Sequence, residues 1–284
     1  MKLYNHFING KWIEPIKNEY FDTENPFTGE VWAKVARGCE KDADLAVKAA
    51  KAAFDSGAWA DMRPTQRGKL LVRLAEIITE KLAEAIQRGA SQVPGTTAAL
   101  IKVEDVFKNW AELNDSDAII FGSPTYMGSV AAGFKAFVED LAGEIWLERR
   151  WLNKIASGFT VSAGRSGDKM NTLQQMVVFA AQMGMIWVPM RITGGHYSTQ
   201  GSEKDLNRLA GYLGVMAQAN IDEPPVLAPP TSDIETAELH GNHIANVTRQ
   251  YKEGRKQLPA EYDTFLGEVD VEGKKPLGLK DLMK

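Results

Sequence analysis

The sequence predicts an α/β fold in which a parallel sheet is wound with helices on both faces. Residues 118–121, Ala-Ile-Ile-Phe, form an unbroken apolar run that is typical of a strand buried on both faces. A Gly-Ser-Pro-Thr sequence then predicts a loop, and a helical pattern follows it. A second buried strand is indicated at Ile155 to Val161. Ligands bind such sheets outside the carboxyl ends of the strands, so the segments after these two strands are the first candidates for a functional surface.

Composition narrows the class of protein. The chain has 284 residues, of which 44% are hydrophobic and 25% charged, which is typical of one large or two modest globular domains. A net charge of −4 without a basic stripe argues against nucleic-acid binding. No apolar run approaches the roughly 20 residues that span a bilayer. One cysteine and a start without a signal peptide's apolar core favour a cytoplasmic protein without disulfides.

Residues 6 to 37 alternate short strands with turns, and two helices are predicted after them. Asn9-Gly10 between apolar residues predicts a hairpin, and Asn25 to Glu30 predicts a second hairpin between Tyr20–Thr23 and Val31–Ala36. Amphipathic helices are predicted from about Lys41 to Phe54 and from about Pro64 onward.

Residues 5 to about 80 resemble the amino-terminal segment of the aldehyde dehydrogenase superfamily. The resemblance is carried by Phe7-Ile-Asn-Gly-Lys-Trp12, Asn25-Pro-x-Thr-Gly-Glu-Val31, Trp59 and Arg67-Gly-x-Leu-Leu. That family's dinucleotide-binding sheet, catalytic cysteine and glutamate base have no counterpart here. Cys39 lies in the polar segment Gly-Cys-Glu-Lys-Asp and lacks a nucleophile's surroundings, so we expect a surface cysteine and no aldehyde oxidation.

A seam is predicted near residue 80. The helix that begins at Pro64 has no cap before Leu82 to Gly89, so it should run on for about 25 residues. Val93-Pro94-Gly95 then predicts a turn, and Ala98 to Val103 a strand.

From Lys81 to about Gly254 the chain resembles the flavodoxin-like NAD(P)H:quinone oxidoreductases and FMN reductases. Four stretches carry this resemblance: Leu82 to Val103, Asp117 to Gly128, Lys154 to Lys169 and Gly184 to Leu213. In that family the loop matching the second stretch wraps the flavin ring, which implies cofactor contacts by Ser123, Pro124, Thr125, Tyr126, Met127 and Gly128.

The third and fourth stretches add residues to the expected flavin site. The small residues after Ile155 to Val161 let backbone approach a flat ring, so the resemblance implies contacts by Ser162, Ala163, Gly164, Arg165 and Gly167. Gly184 to Pro189 predicts a further strand, and His196 matches a position beside the ring. Alternatively, His196 is a solvated loop histidine. A helix is expected from Leu209 to Ala217.

One element of that family is missing. A flavodoxin-like domain begins with a continuous apolar strand and a Ser/Thr-x-Thr-Gly-x-Thr loop that holds the FMN phosphate. Val31 to Ala36 is the nearest candidate for that strand, but it alternates and includes Lys34. We therefore expect an incomplete sheet with unpaired edges and a weak or lost phosphate site.

The resulting prediction is a flavodoxin-like doubly wound parallel sheet that lacks its first strand, behind an appendage of hairpins and helices. Its parts are residues 1–80, residues 81–254 and an irregular tail, 255–284. The function implied is an FMN-dependent NAD(P)H oxidoreductase with an acceptor such as a quinone, no catalytic side chain and a possible homo-oligomeric state. The alternative is a non-catalytic fusion that binds FMN weakly or not at all. His240 and His243, on a predicted last helix, are expected at the surface rather than in a metal site.

Overall fold

The computed structural model describes residues 2–57, 61–224 and 226–258. It divides into two compact units, Met1–Leu71 and Val72–Lys284. The division falls inside the second helix. Most of the predicted irregular tail lies outside the described residues.

The first unit contains both predicted hairpins and the first predicted helix. Strands β2 (His6–Ile8) and β3 (Lys11–Ile13) pair in antiparallel fashion across Asn9 and Gly10, whose φ angles of 51° and 75° suit a two-residue hairpin turn. A three-stranded sheet has the order β1-β5-β4. Its strands are β1 (Lys2–Tyr4), β4 (Tyr20–Glu24) and β5 (Val31–Ala36), and helix α1 (Glu40–Asp55) follows them.

Helix α2 confirms the predicted uninterrupted helix, because it runs from Pro64 to Ser91 over 28 residues. It therefore passes through the point near residue 80 at which one family resemblance gives way to the other.

The second unit is built on a largely parallel sheet with the order β10-β8-β6-β7, and β9 also pairs with β8. Its strands are β6 (Ala118–Tyr126), β7 (Ser129–Val130), β8 (Ile155–Ser162), β9 (Ile186–Trp187) and β10 (Val215–Gln218). Only β7 is antiparallel to its neighbour. Because β9 and β10 pair with the two ends of β8, they share one edge of the sheet.

Helices cover both faces of this sheet. They are α3 (Trp110–Asp115), α4 (Ala132–Asp140), α5 (Glu144–Leu147), α6 (Lys169–Gln182) and α7 (Thr231–Gln257), with a 3₁₀ helix at Val103–Asn109. One core gathers Phe121 and buried aromatic residues such as Trp151 and Phe179. The other joins Leu82 of α2, Val215 of β10 and other aliphatic residues. This arrangement confirms the predicted doubly wound α/β class.

Strand β6 is longer than predicted, because Gly122 to Thr125 continue it instead of forming a loop. Ile155 donates to the Asp117 carbonyl oxygen, so residues 119, 121 and 123 direct their backbone groups to β8 and the even-numbered residues direct theirs to the opposite edge. Pro124, which lacks an N–H group, falls on that opposite edge. Proline fits a strand at such a place, and its presence therefore did not end β6.

The same edge of β6 shows the consequence of the missing first strand. Among the described residues, β7 is the only strand beside it, and β7 pairs only with Thr125 and Tyr126. The backbone N–H and C=O groups of Ala118, Ile120 and Gly122 therefore face an edge without a strand. The expected incomplete sheet is confirmed for the part of the chain that the structure describes.

Two predicted elements were wrong. Residues 98–102 do not form a strand. A strand at these residues would have to pair with the family's first strand, and the described sheet lacks that strand. The helix expected at 209–217 is instead an irregular segment followed by β10, in which buried Val215 and Ala217 alternate with half-buried Met216 and Gln218. Gly211 and Gly214 fit tightly against their neighbours there, and this close packing favours a strand.

The surface placement expected for His240 was also wrong. Helix α7 packs on the sheet through this face, and His240 is 0% exposed. Its Nε2 lies 2.7 Å from Ser157 Oγ, which donates to the Val188 carbonyl oxygen at 2.8 Å. Since the hydroxyl proton is used for Val188, Nε2 carries the imidazole proton. Nδ1 has no hydrogen-bond partner among the described residues, so the ring is held neutral.

We expect the free energy of unfolding to decrease as the pH is lowered, because of His240. Burial lowers the pKa of His240 to about 3, whereas the unfolded chain titrates near its ordinary value of 6.5. The unfolded state therefore binds a proton first as pH falls below 6.5, and the free energy of unfolding should decrease by about 1.4 kcal/mol per pH unit towards pH 3. Urea unfolding of the wild type and of His240→Gln, which keeps a donor near Ser157, would measure this. An equal pH dependence in both proteins would contradict the assignment.

No helix within the described ranges combines the length and apolar character needed to cross a bilayer.

Candidate functional site

Two of the predicted loops meet at the carboxyl edge of the sheet. Strands β6 and β8 run parallel with Pro124 opposite Val161, so both strands end at the same edge. Asn171 Nδ2 donates to the Gly128 carbonyl oxygen at 2.5 Å, which joins the turn after β6 to the start of α6. The structure therefore places Tyr126–Gly128 and residues 162–167 at one edge of the sheet, and their predicted role in a single flavin crevice stays a prediction.

The first loop is the tight turn between β6 and β7. Met127 and Gly128 both have positive φ angles, 48° and 77°, as a type I′ hairpin turn requires. This geometry places Met127 at the tip, fully exposed to solvent. Tyr126 is half-buried, and burial raises the pKa of its hydroxyl. The turn therefore offers an apolar side chain and backbone at the carboxyl edge of the sheet.

Two predicted flavin residues turn their side chains into the protein. Ser123 Oγ accepts from the Ala131 N–H at 2.9 Å and donates to the Pro124 carbonyl oxygen at 3.0 Å. Thr125 Oγ1 lies 2.7 Å from Thr160 Oγ1 and 2.8 Å from Thr172 Oγ1. These hydroxyls fix the end of β6 and are not available to a ligand.

The second loop, residues 162–167, is gathered around the ammonium group of Lys169. Lys169 Nζ donates to Ser162 Oγ at 2.8 Å, to the Arg165 carbonyl oxygen at 3.0 Å and to the carbonyl oxygen of Gly164. The side chain is 0% exposed, and burial lowers the pKa of Lys169 to about 8. The loop carbonyls are thus drawn inward.

The backbone donors of this loop remain available. Residues 163–166 are exposed, and across the described chain the N–H groups of residues 163–167 have no protein acceptor. Gln218 Nε2 donates to the Ala163 carbonyl oxygen at 3.1 Å, so the acceptors are occupied while the donors are free. Such a surface suits a ligand edge rich in acceptor atoms.

Gly167 is required by the geometry of this loop. Its φ angle is 51°, and an added Cβ would lie 2.2 Å from Ser162 Oγ and 2.9 Å from the Gly164 carbonyl oxygen. Any side chain here would push the loop off the Lys169 ammonium.

His196 is connected to the second loop through Glu203. His196 Nδ1 lies 3.4 Å from Glu203 Oε1, and the same carboxylate bonds to Arg165 and Arg208. Burial raises the pKa of Glu203, but the hydrogen bonds from these two arginines outweigh it and hold the pKa below its ordinary value. The structure therefore brings His196 and Arg165 together through Glu203, a residue that the sequence had not marked.

A buried ion pair anchors this network. Arg208 donates from Nε and Nη2 to the two carboxylate oxygens of Asp233 at 2.8 and 2.9 Å, and Gln218 N–H donates to the same carboxylate at 2.8 Å. Both side chains are almost fully buried. Lys169, Glu203, Arg208 and Asp233 were all missed, because each depends on partners that the sequence does not place beside it.

A cavity of about 580 Å³ lies beside the second loop. It is lined by Arg165, Ser166, Asp168, Met170, Asn171, Gln174, Arg208, Leu209 and Met216. None of Tyr126, Met127 and Gly128 lines it, so it adjoins the edge shared by the two loops without including the turn after β6.

Other candidate chemistry is not assembled. Among the described residues, no group of three or more His, Cys, Asp and Glu side chains could hold a metal ion. Cys39 is partly exposed and precedes α1, where its N–H donates to Asp42 Oδ2 at 2.9 Å. The hydrogen bond from this N–H, together with one from Ile16, holds the pKa of Asp42 below its ordinary value. The local geometry is that of a helix start.

The described residues fit a flavin ring better than they fit its phosphate. Free N–H groups at 163–167, small side chains and the exposed turn at Met127 suit a flat ring with acceptor atoms along one edge. The phosphate loop would require a strand that ends at the start of the helix Leu82 to Gly89. In the described chain α2 is already helical from Pro64, so no helix start lies there.

Comparisons with known proteins find both of the resemblances that the sequence indicated. The family model for NADPH-dependent FMN reductase matches residues 73–198, and the model for the aldehyde dehydrogenase family matches residues 12–116. Aldehyde dehydrogenase 1 of Tanacetum cinerariifolium is 46% identical over 78 residues, which are 28% of this chain and 16% of that protein.

Two curated relatives match the second part of the chain over nine tenths of their own length. Flavodoxin FldP of Pseudomonas aeruginosa is 34% identical over 176 residues, covering 61% of this chain and 91% of that protein. NAD(P)H dehydrogenase (quinone) 3 of Rhizobium meliloti is 28% identical over 202 residues, covering 64% and 92%. A WrbA-like flavodoxin structure from Agrobacterium tumefaciens has a TM-score of 0.43 and 34% identity, and covers 61% of this chain and 90% of that one.

The extent and identity of the match to flavodoxin FldP show the family. The chain belongs to the flavodoxin-like family, and it also carries an amino-terminal segment that is similar to that of the aldehyde dehydrogenases.

Proposed function

We propose that residues 81–254 form an FMN-dependent NAD(P)H oxidoreductase of the quinone or flavin reductase type. The observation that carries this proposal is the loop at 162–167, whose backbone donors are free while its carbonyls are occupied, at the sheet edge it shares with Met127 and Gly128. The relatives named for FMN reduction and for quinone reduction support the same chemistry.

FMN, when bound, would supply hydride-transfer chemistry between a nicotinamide and an acceptor such as a quinone. The N–H groups of residues 163–167 would orient the acceptor edge of the ring, and Met127 would shield it from water. His196, held by Glu203, would border the same ring. No side-chain nucleophile is required. We assign this function to a cytoplasmic protein that acts on small molecules and forms a homo-oligomer.

A second candidate, a non-catalytic fusion that binds FMN weakly or not at all, is favoured by one observation. In the described chain the sheet has no strand at the position of the family's first strand, and α2 has no start where the phosphate loop belongs. The two candidate functions are distinguished by whether the ring contacts alone are enough to hold a flavin. They would be enough in the enzyme and too weak in the fusion.

Aldehyde oxidation is not part of the proposed function. The aldehyde dehydrogenase match covers 16% of that relative's length, and Cys39 lies at a helix start, where it and Asp42 cap α1. We expect aldehyde-dependent NADH formation to be absent.

The absorbance spectrum of the purified protein tests the proposal. Flavin bands that co-purify, and NAD(P)H oxidation that depends on a quinone, would support the enzyme. In Ala163→Trp the bands should be lost, because residue 163 is exposed and a large side chain there would block the ring. Phe27→Ala, at a residue 96% exposed in the first unit, is the matched control and should keep them. No bands and no oxidation after FMN is added would favour the fusion.

A further inference from the structure

Lys169 is a buried cation without a contacting carboxylate. It is the first residue of α6 and is 0% exposed, yet Nζ donates only to neutral oxygens, from Ser162 Oγ and the carbonyls of Gly164, Arg165 and Ser166. Within the described residues no Asp or Glu lies within ion-pair distance of it. Burying an unpaired charge is costly, so this ammonium is retained against an energetic penalty.

The contacts of Lys169 determine which groups the loop presents. Three consecutive carbonyl oxygens, of residues 164–166, point to one ammonium, which holds this short segment in a single curved conformation. With those acceptors turned inward, the N–H groups of residues 163–167 are left for the outer side. An uncharged apolar residue at position 169 would leave buried carbonyls unsatisfied and release the loop.

The charge also acts through the loop. Nζ contacts the loop at two glycines, since the Gly164 carbonyl oxygen accepts from it and a Cβ added to Gly167 would lie 3.2 Å from it. At these two positions no side chain stands between the ammonium and the exposed loop. In a water-poor environment a positive charge stabilises negative charge that develops nearby.

Resting on the proposed function, we propose that Lys169 is a positioning residue that shapes residues 162–167 into a donor surface for the flavin ring and favours its reduction. It does not touch the ring. It orders the N–H groups that do, and its charge favours the more negative, reduced ring.

The first test does not depend on flavin. Amide hydrogen exchange at the end of the loop, measured at residues 169 and 171, should be at least about tenfold faster in Lys169→Met than in the wild type. These two N–H groups donate to the carbonyl oxygens of Ser166 and Asp168. Those oxygens are released when the charge-assisted bonds of about 1.5 kcal/mol or more that hold the loop are lost. Lys154→Met is the matched control, because Lys154 is also partly buried and donates to a backbone carbonyl, that of Ser116, at the other end of β8. It should leave exchange in the loop unchanged. Unchanged exchange in Lys169→Met would overturn the inference.

The second test separates charge from shape. Lys169→Gln keeps N–H donors without the charge, and it also serves if Lys169→Met fails to fold. Its loop exchange should stay close to that of the wild type, while the midpoint potential of bound FMN should fall. In Lys169→Met the dissociation constant for FMN should rise at least about tenfold. An unchanged potential in Lys169→Gln would overturn the role of the charge. If the wild type binds no flavin, the proposed function fails, and exchange still decides whether Lys169 shapes the loop.

Discussion

Replacing Gly241 by alanine is expected to destabilise the protein by about 3 kcal/mol, at the upper end of the range for overpacking. Gly241 lies in α7 where this helix crosses α2, and an added Cβ would be 2.1 Å from the Ile86 carbonyl oxygen. The contact is reciprocal, because a Cβ on Gly89 of α2 would be 1.8 Å from the Glu238 carbonyl oxygen. Both obstacles are backbone atoms of helices, so neither can rotate away, and the two helices would have to separate.

Gly254→Ala provides a control in the same helix. Gly254 also belongs to α7, but nothing lies within 4 Å of the Cβ that alanine would add. This substitution should stabilise the protein by as much as about 1 kcal/mol, because alanine is the better helix former. Urea unfolding of the wild type and both variants would measure the two effects. Destabilisation of similar size in both variants would mean that helix propensity, and not the crossing, determines the result.

The sequence predicted elements whose signals are local. Asn9-Gly10 specified a hairpin turn, and the apolar runs at 118–121 and 155–161 specified buried strands. The errors occurred where a distant partner decides the structure. Residues 98–102 lack the neighbouring strand that would make them one, and Pro124 is tolerated in β6 because it faces the open edge.

For the candidate site, too, the sequence predicted the features with local signals and missed those that depend on distant partners. Because β6 and β8 are parallel, their following loops had to share one edge, and the structure places them there. The polar residues that organise those loops could not be found in the same way. Lys169 follows an ordinary glycine-rich turn in sequence, and Arg208 meets Asp233 only after the chain has passed through β10. The roles of Lys169, Arg208 and Asp233 depend on their being buried, and the identity of a polar residue does not show whether it is buried.

FMN, if it binds, is expected to bind two to four orders of magnitude more weakly than in an intact relative, and riboflavin nearly as well as FMN. The phosphate of FMN is held in this family by free N–H groups at the start of the first helix. In this chain that helix is the second half of α2, which is continuous from Pro64, so the N–H groups near residue 80 are used within the helix. Charge-assisted hydrogen bonds contribute about 1.5 to 3 kcal/mol each, and two lost bonds account for roughly that loss of affinity.

Titration of FMN and of riboflavin against tryptophan fluorescence distinguishes the ring contacts from the phosphate contacts. The ring donors at 163–167 and the turn at Met127 are common to both ligands, so similar dissociation constants are expected. Ala163→Trp should weaken both equally, because it blocks the ring and not the phosphate. A preference for FMN of a hundredfold or more would contradict the prediction. It would mean that another helix start or a basic side chain holds the phosphate, and the intact enzyme would then be favoured over the fusion.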